Sequence, residues 1–116
     1  MERVIYGIKN CDTMQKAFKW MDTNGIKYRF HDYRVEGLTA AHIERWLQEI
    51  PLEVLVNSRS TTYKALSADQ KELIAQPTTA SVVILQNPSI IKRPLLDNKG
   101  AYIIGFKEED WAKALK

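Results

Sequence analysis

Only one cysteine, Cys11, occurs among the 116 residues. A single thiol excludes an internal disulfide, and with it the small secreted scaffolds that depend on such cross-links. Histidine is scarce too: His31 and His42 lie well apart, without the ligand spacing of a metal site. No apolar run approaches the roughly 18 residues that read as a membrane span. Nor does a charged start lead into an apolar stretch, so a signal peptide is not expected and the expected setting is a reducing cytoplasm. Charge of one sign is not blocked: 17 Lys and Arg face 14 Asp and Glu, for a net charge of +3. Basic residues scattered in this way do not suggest nucleic acid or a membrane surface as partner. Repeats, low-complexity tracts and linkers are absent, so residues 1–116 read as one domain. At 45% hydrophobic and 27% charged, the chain has the balance of a globular protein. Its length allows a core that needs neither metal nor disulfide.

What is present has a clear order. Arg3 to Ile8 carries Val4, Ile5, Tyr6 and Ile8, the pattern of a buried first strand. Met14, Ala17, Phe18 and Met21 follow at i, i+3, i+4 and i+7, one apolar helical face that leaves Trp20 to the side, and Asn24-Gly25 supplies the stop. Ile26 to His31 reads as a second strand, completing a βαβ unit with parallel strands. Thr39 is a candidate N-cap, with Leu38 and Ile43 placed as a hydrophobic staple and Pro51 ending that helix. Ser67 and Gln70 form a capping box for a helix reaching about Ala75. Pro94 to Leu96 and Ala101 to Gly105 read as strands joined by a turn at Asp97-Asn98-Lys99-Gly100, before a final helix with acidic first and basic last turns. For Ala80 to Gln86 propensity favours a strand, whereas Pro77-Thr78-Thr79 and Pro88 bracket a helix-like length.

Cys11 falls between the first strand and the first helix. Unpaired N–H groups and the positive end of the helix dipole favour an anion there, which is the condition for a reactive thiolate. Lys9 adds a positive charge nearby. A buried structural cysteine is the alternative, common for this residue type. Arg59, in a polar loop from Asn57 to Thr62, and Arg93, in Ile90 to Pro94, are candidates to grip an oxyanion or carboxylate. The alternative for each is a solvated surface charge. Pro94 suits either the start of an edge strand or a cis-proline turn.

Taken together, Tyr6-Gly7-Ile8-Lys9-Asn10-Cys11-Asp12-Thr13, Phe30-His31-Asp32-Tyr33-Arg34, Asn57-Ser58-Arg59-Ser60-Thr61-Thr62 and Ile90-Ile91-Lys92-Arg93-Pro94-Leu95-Leu96 resemble the arsenate reductase (ArsC)/Spx family, in particular its YffB-like subgroup. The resemblance runs through essentially the whole chain. It implies an α/β, thioredoxin-like fold with a mixed four-stranded sheet and a helical insertion at about 38–92, and it implies a helix over Thr79 to Gln86. It also implies Cys11 as nucleophile, Arg59 and Arg93 as anion-binding residues, Pro94 as a cis-proline, and Lys9, Asn10 and Asp12 as supporting residues around the cysteine.

The departures from the family pattern carry as much weight. Gly7 stands where arsenate reductases of the family have a histidine, Met14 where they have a serine, and Phe106 near the place of a third arginine. Met14 also takes the place of the second cysteine of the oxidation-sensing Spx regulators. The expected activity is therefore a glutathione-dependent thiol–disulfide reductase with one nucleophilic cysteine. No cofactor is expected to be bound, glutathione serves as co-substrate, and the protein is expected to be a monomer. Two alternatives accompany this reading. One is an arsenate reductase with a degraded oxyanion site, turning over with glutathione and glutaredoxin; the other is a non-catalytic Spx-like module that docks on RNA polymerase.

Overall fold

The computed structural model describes residues 2–116. The chain divides into two compact units, one made of residues up to Gly37 together with Arg93–Lys116, the other of Leu38–Lys92.

The first unit is built on a four-stranded sheet. Strand β1 (Arg3–Gly7) pairs in parallel with β2 (Arg29–Asp32) through helix α1 (Asp12–Thr23), and antiparallel with β3 (Leu95–Asn98). Strand β4 (Ala101–Ile104) completes the order β2-β1-β3-β4. The second strand begins at Arg29 rather than at Ile26: Gly25 takes a left-handed φ of 65° and the chain reaches β2 only after three further residues. The β3–β4 hairpin closes through Lys99 and Gly100 alone, both at positive φ (54° and 100°), the geometry of the tight turns that match strand twist. The Asp97 carboxylate accepts the Gly100 N–H at 2.7 Å and holds that turn.

The first unit's core lies between the sheet and α1. Ile5, Met14, Ala17, Met21, Leu96 and Trp111 are fully buried in one cluster. Trp111 belongs to the terminal helix, Glu108–Leu115, and its indole N–H donates to the Gly105 carbonyl at 3.0 Å. Trp20, which the apolar spacing of its helix left to the side, is 8% exposed and meets Trp111 edge to face at 6.1 Å. The spacing rule misses it because a second apolar surface, from the terminal helix, covers the flank of α1.

The second unit is helical. Helix α2 (Ala40–Glu49) opens on a capping box between Thr39 and His42. Two single-turn helices follow, α3 (Leu52–Leu55) and α4 (Thr61–Lys64), which the sequence patterns did not predict because neither is long enough to show a period. Helix α5 (Ala68–Ile74) starts at the expected Ser67–Gln70 capping box. The ambiguous segment is helix α6 (Pro77–Gln86). Its β-branched residues are overridden by context. Pro77 occupies the first turn, the Thr79 hydroxyl donates to the Leu73 carbonyl at 2.6 Å, and Ala80, Val83 and Ile84 bury one face against α2 and α5. The terminal helix is α7 in this numbering.

Candidate functional site

The sheet register brings three chain segments to one edge of the first unit. Strand β1 ends at Gly7, and Cys11 lies four residues on, at the N-cap of α1. The parallel strand β2 ends beside it, with Asp32 opposite Gly7 and the Tyr33 N–H donating to the Gly7 carbonyl at 3.0 Å. Strand β3 runs the other way and starts at Leu95, opposite Tyr6, so Arg93 and Pro94 enter at that same edge. Carboxyl ends of parallel strands are where open α/β sheets bind their ligands.

The loop carrying the cysteine is held by backbone groups. The Lys9 carbonyl accepts both the Cys11 N–H at 3.1 Å and the Gln15 side-chain amide at 2.8 Å. Cys11 itself is extended (φ −147°, ψ 126°) and its carbonyl starts the helix by accepting from Gln15 N at 3.0 Å. An N-cap side chain faces the free amides of the first turn, and here that side chain is a thiol, half-buried.

Burial pushes the Cys11 thiol up, but the Met14 amide, the Arg93 side chain and the Thr13 amide together outweigh it, leaving the thiol below its usual range. A guanidinium and two helix-start amides acting on one sulfur favour the thiolate, the form that attacks. Lys9, Asn10 and Asp12 are exposed around it. Asp12 is the only acid in the first turn of α1, where a carboxylate suits the dipole. The Arg93–Pro94 peptide bond is cis, and the Pro94 carbonyl accepts from Gly105 N at 2.8 Å.

Arg59 belongs to the helical unit. It is exposed, in an Asx turn in which its N–H donates to the Asn57 carboxamide oxygen at 3.1 Å, just before the Ser60 N-cap of α4. Gly7 has a steric counterpart: a Cβ added there would stand 2.5 Å from both Sδ and Cε of Met14, which is fully buried. Two of the three positions at which the chain departs from the arsenate reductase pattern, Gly7 and Met14, thus share one space.

Sequence reasoning gave no role to Tyr33. It is 6% exposed, and its hydroxyl is buried. Burial pushes its phenol up to about 12, opposed by the charge of Arg93 and a hydrogen bond with its side chain, and reinforced by Cys11. The signal for it in the sequence was only its place, directly after a strand that ends beside the cysteine loop.

Comparison with known proteins agrees with this architecture. The ArsC family model matches residues 6–114. An uncharacterized protein of Haemophilus influenzae is 42% identical over 110 residues, covering 95% of this chain and 96% of its own length. The global transcriptional regulator Spx 2 of Lactococcus lactis is 26% identical over 108 residues, covering 91% of this chain and 80% of its own. Among solved structures, the YffB protein superposes with a TM-score of 0.92 at 39% identity, over 98% of this chain and 99% of that one. An arsenate reductase (ArsC) related protein from Brucella melitensis gives 0.77 at 41% identity, over 100% and 96%. By sequence, by its α/β thioredoxin-like sheet and by the order of its elements, the chain belongs to the ArsC family.

Proposed function

We propose that this protein is a glutathione-dependent thiol–disulfide reductase that works through Cys11 alone. The observation that carries the reading is the environment of that sulfur: the one cysteine of the chain sits at a helix start beside Arg93, and its thiol is lowered. The Cys11 thiolate attacks a substrate disulfide, forming a mixed disulfide and expelling the other half as a thiolate. Glutathione thiolate then attacks the substrate sulfur of that mixed disulfide. Cys11 leaves as thiolate, and the substrate half leaves disulfide-bonded to glutathione. Electrons balance, since each step exchanges one S–S bond for another and one thiolate for another.

Arg93 receives the anionic groups of the incoming thiol or substrate, a task suited to a forked guanidinium. Arg59 as a second carboxylate-binding residue is part of the same proposal and rests on its place in the sequence pattern. Loss of the histidine, with Met14 in the space beside Gly7, disfavours arsenate as substrate.

A second reading is a regulatory docking module, favoured by the match to transcriptional regulators along 91% of the chain. Incubation with glutathione disulfide followed by mass spectrometry separates the two. The reductase reading expects one glutathione adduct, absent in Cys11→Ser and released by added glutathione. An unmodified thiol contradicts it, and partner capture that survives Cys11→Ser favours the module.

A further inference from the structure

The loop from β1 to α1 carries the nucleophile, and a side chain from outside the loop braces it. Lys9 and Asn10 are both exposed, so packing gives this stretch little support. Gln15, one turn into α1, holds it at two points. Its backbone N–H donates to the Cys11 carbonyl at 3.0 Å, and its side-chain amide reaches six residues back to donate to the Lys9 carbonyl at 2.8 Å. That Lys9 carbonyl also accepts the Cys11 N–H at 3.1 Å, so the bonds close a ring through Lys9, Cys11 and Gln15. The backbone bond is the ordinary first bond of a helix, open to almost any residue at that position. The side-chain bond is not: it needs a long side chain that ends in a donor.

Stability does not account for that bond. Gln15 is exposed, so water competes for both partners, and fixing a glutamine costs rotamer freedom. Its local consequence is larger. An N-cap side chain meets the N–H groups of the second and third helical residues, here Thr13 and Met14, only while the N-cap backbone stays extended, as Cys11 is at φ −147° and ψ 126°. Those are the two amides that lower the Cys11 thiol. A thiolate gains from them far more than a neutral thiol does. In a loose loop the ionised sulfur would itself have to order the chain before meeting the amides, and that cost would oppose ionisation.

We infer that Gln15 is a positioning residue for Cys11: its side-chain amide, bonded to the Lys9 carbonyl, holds the cysteine loop in the conformation that presents the sulfur to the first-turn amides of α1. It acts through the backbone of Lys9 and Cys11 rather than on the reacting atoms. The inference rests on the reading of Cys11 as an activated thiolate and not on which thiol serves as reductant.

The test is the pH dependence of Cys11 alkylation by iodoacetamide, followed by mass spectrometry, in the wild type, Gln15→Met and Lys19→Met, with thermal unfolding of each. Methionine is close to glutamine in length and helix propensity but cannot donate. Lys19 is exposed one turn further along α1 and controls for a methionine on the same helix. In Gln15→Met the midpoint is expected to move up, and the rate below the midpoint to fall roughly 2- to 10-fold, the scale of one net hydrogen bond. The rate at high pH, where every thiol is ionised, and the melting temperature stay near wild type; Lys19→Met keeps the wild-type profile. A Gln15→Met profile that superposes on a lowered wild-type profile overturns this inference alone. An equal shift in Lys19→Met also overturns it, since the effect would then belong to the helix and not to the bond with Lys9. So does a fall at every pH together with a lower melting temperature, the mark of a general loosening. A wild-type midpoint in the ordinary cysteine range removes the thiolate reading and this inference with it.

Discussion

Arg93 and the first amides of α1 govern the thiol, and each contribution is separable at the level of one residue. Replacing Arg93 with Met removes the charge while keeping much of the side chain's bulk, so the Cys11 thiol rises and alkylation at pH 7 slows. A pH profile of alkylation in Arg93→Met that superposes on the wild-type profile would contradict this. Tyr33 is shifted the other way. A phenol near 10 unfolded and about 12 folded contributes stability that is whole below pH 10 and is lost as pH rises through 12. Tyr33→Phe is accordingly expected to lose less stability than the wild type between pH 10 and about pH 12 in denaturant titrations, the window set by that same shift. At Gly7 the expectation is steric. Gly7→Ala presses a methyl group against the Met14 thioether in a packed core and costs about 1–3 kcal/mol by chemical denaturation. A shorter residue at 14 should relieve part of that cost, as a non-additive double-mutant cycle would show. Cys11 was legible from the sequence because its position, between a strand pattern and a helix pattern, carries its own physics. Tyr33 was not, since burial beside Arg93 is a property of the fold and leaves no trace in local pattern.

The elements vary in the same manner. Helices with caps announced themselves: Thr39 before α2 and Ser67 with Gln70 before α5 are side-chain chemistry written into the chain. Thr39→Ala removes the acceptor for the His42 N–H, and a loss of about 1 kcal/mol in denaturant titration is expected. Strand β1 was legible from its β-rich run, and β3 and β4 from the turn residues between them. Helix α6 was not legible from propensity, which favoured a strand; the resemblance gave it, and the reason lies in its packing on α2 and α5. Single-turn helices α3 and α4 are too short for periodicity to register. One element is open to improvement. Lys99 holds a φ of 54° in a two-residue hairpin turn, a conformation asparagine tolerates better, so Lys99→Asn should raise stability by a few tenths of a kcal/mol to about 1 kcal/mol. A lower denaturation midpoint would contradict the turn assignment.

For the whole molecule, the first unit depends on an aromatic cluster drawn from both ends of the sequence. Trp20 of α1, Trp111 of α7 and Phe106, which lies just before α7, meet edge to face, with the Lys116 ammonium 5.7 Å from the centre of the Trp20 ring. Contacts of such long range cannot be read from spacing within one helix, which is why Trp20 looked peripheral in the sequence. What the sequence does supply is the division of labour. An α/β unit carries the cysteine, the arginine–proline pair and the tyrosine on one sheet edge, and a helical unit interrupts it between Gly37 and Arg93. The central claim is that this arrangement makes Cys11 an activated thiolate. Its most direct test is the rate of Cys11 alkylation by iodoacetamide against pH, followed by mass spectrometry. A midpoint below the ordinary cysteine range, moving up in Arg93→Met, is predicted; a midpoint at or above that of a free cysteine would contradict the account.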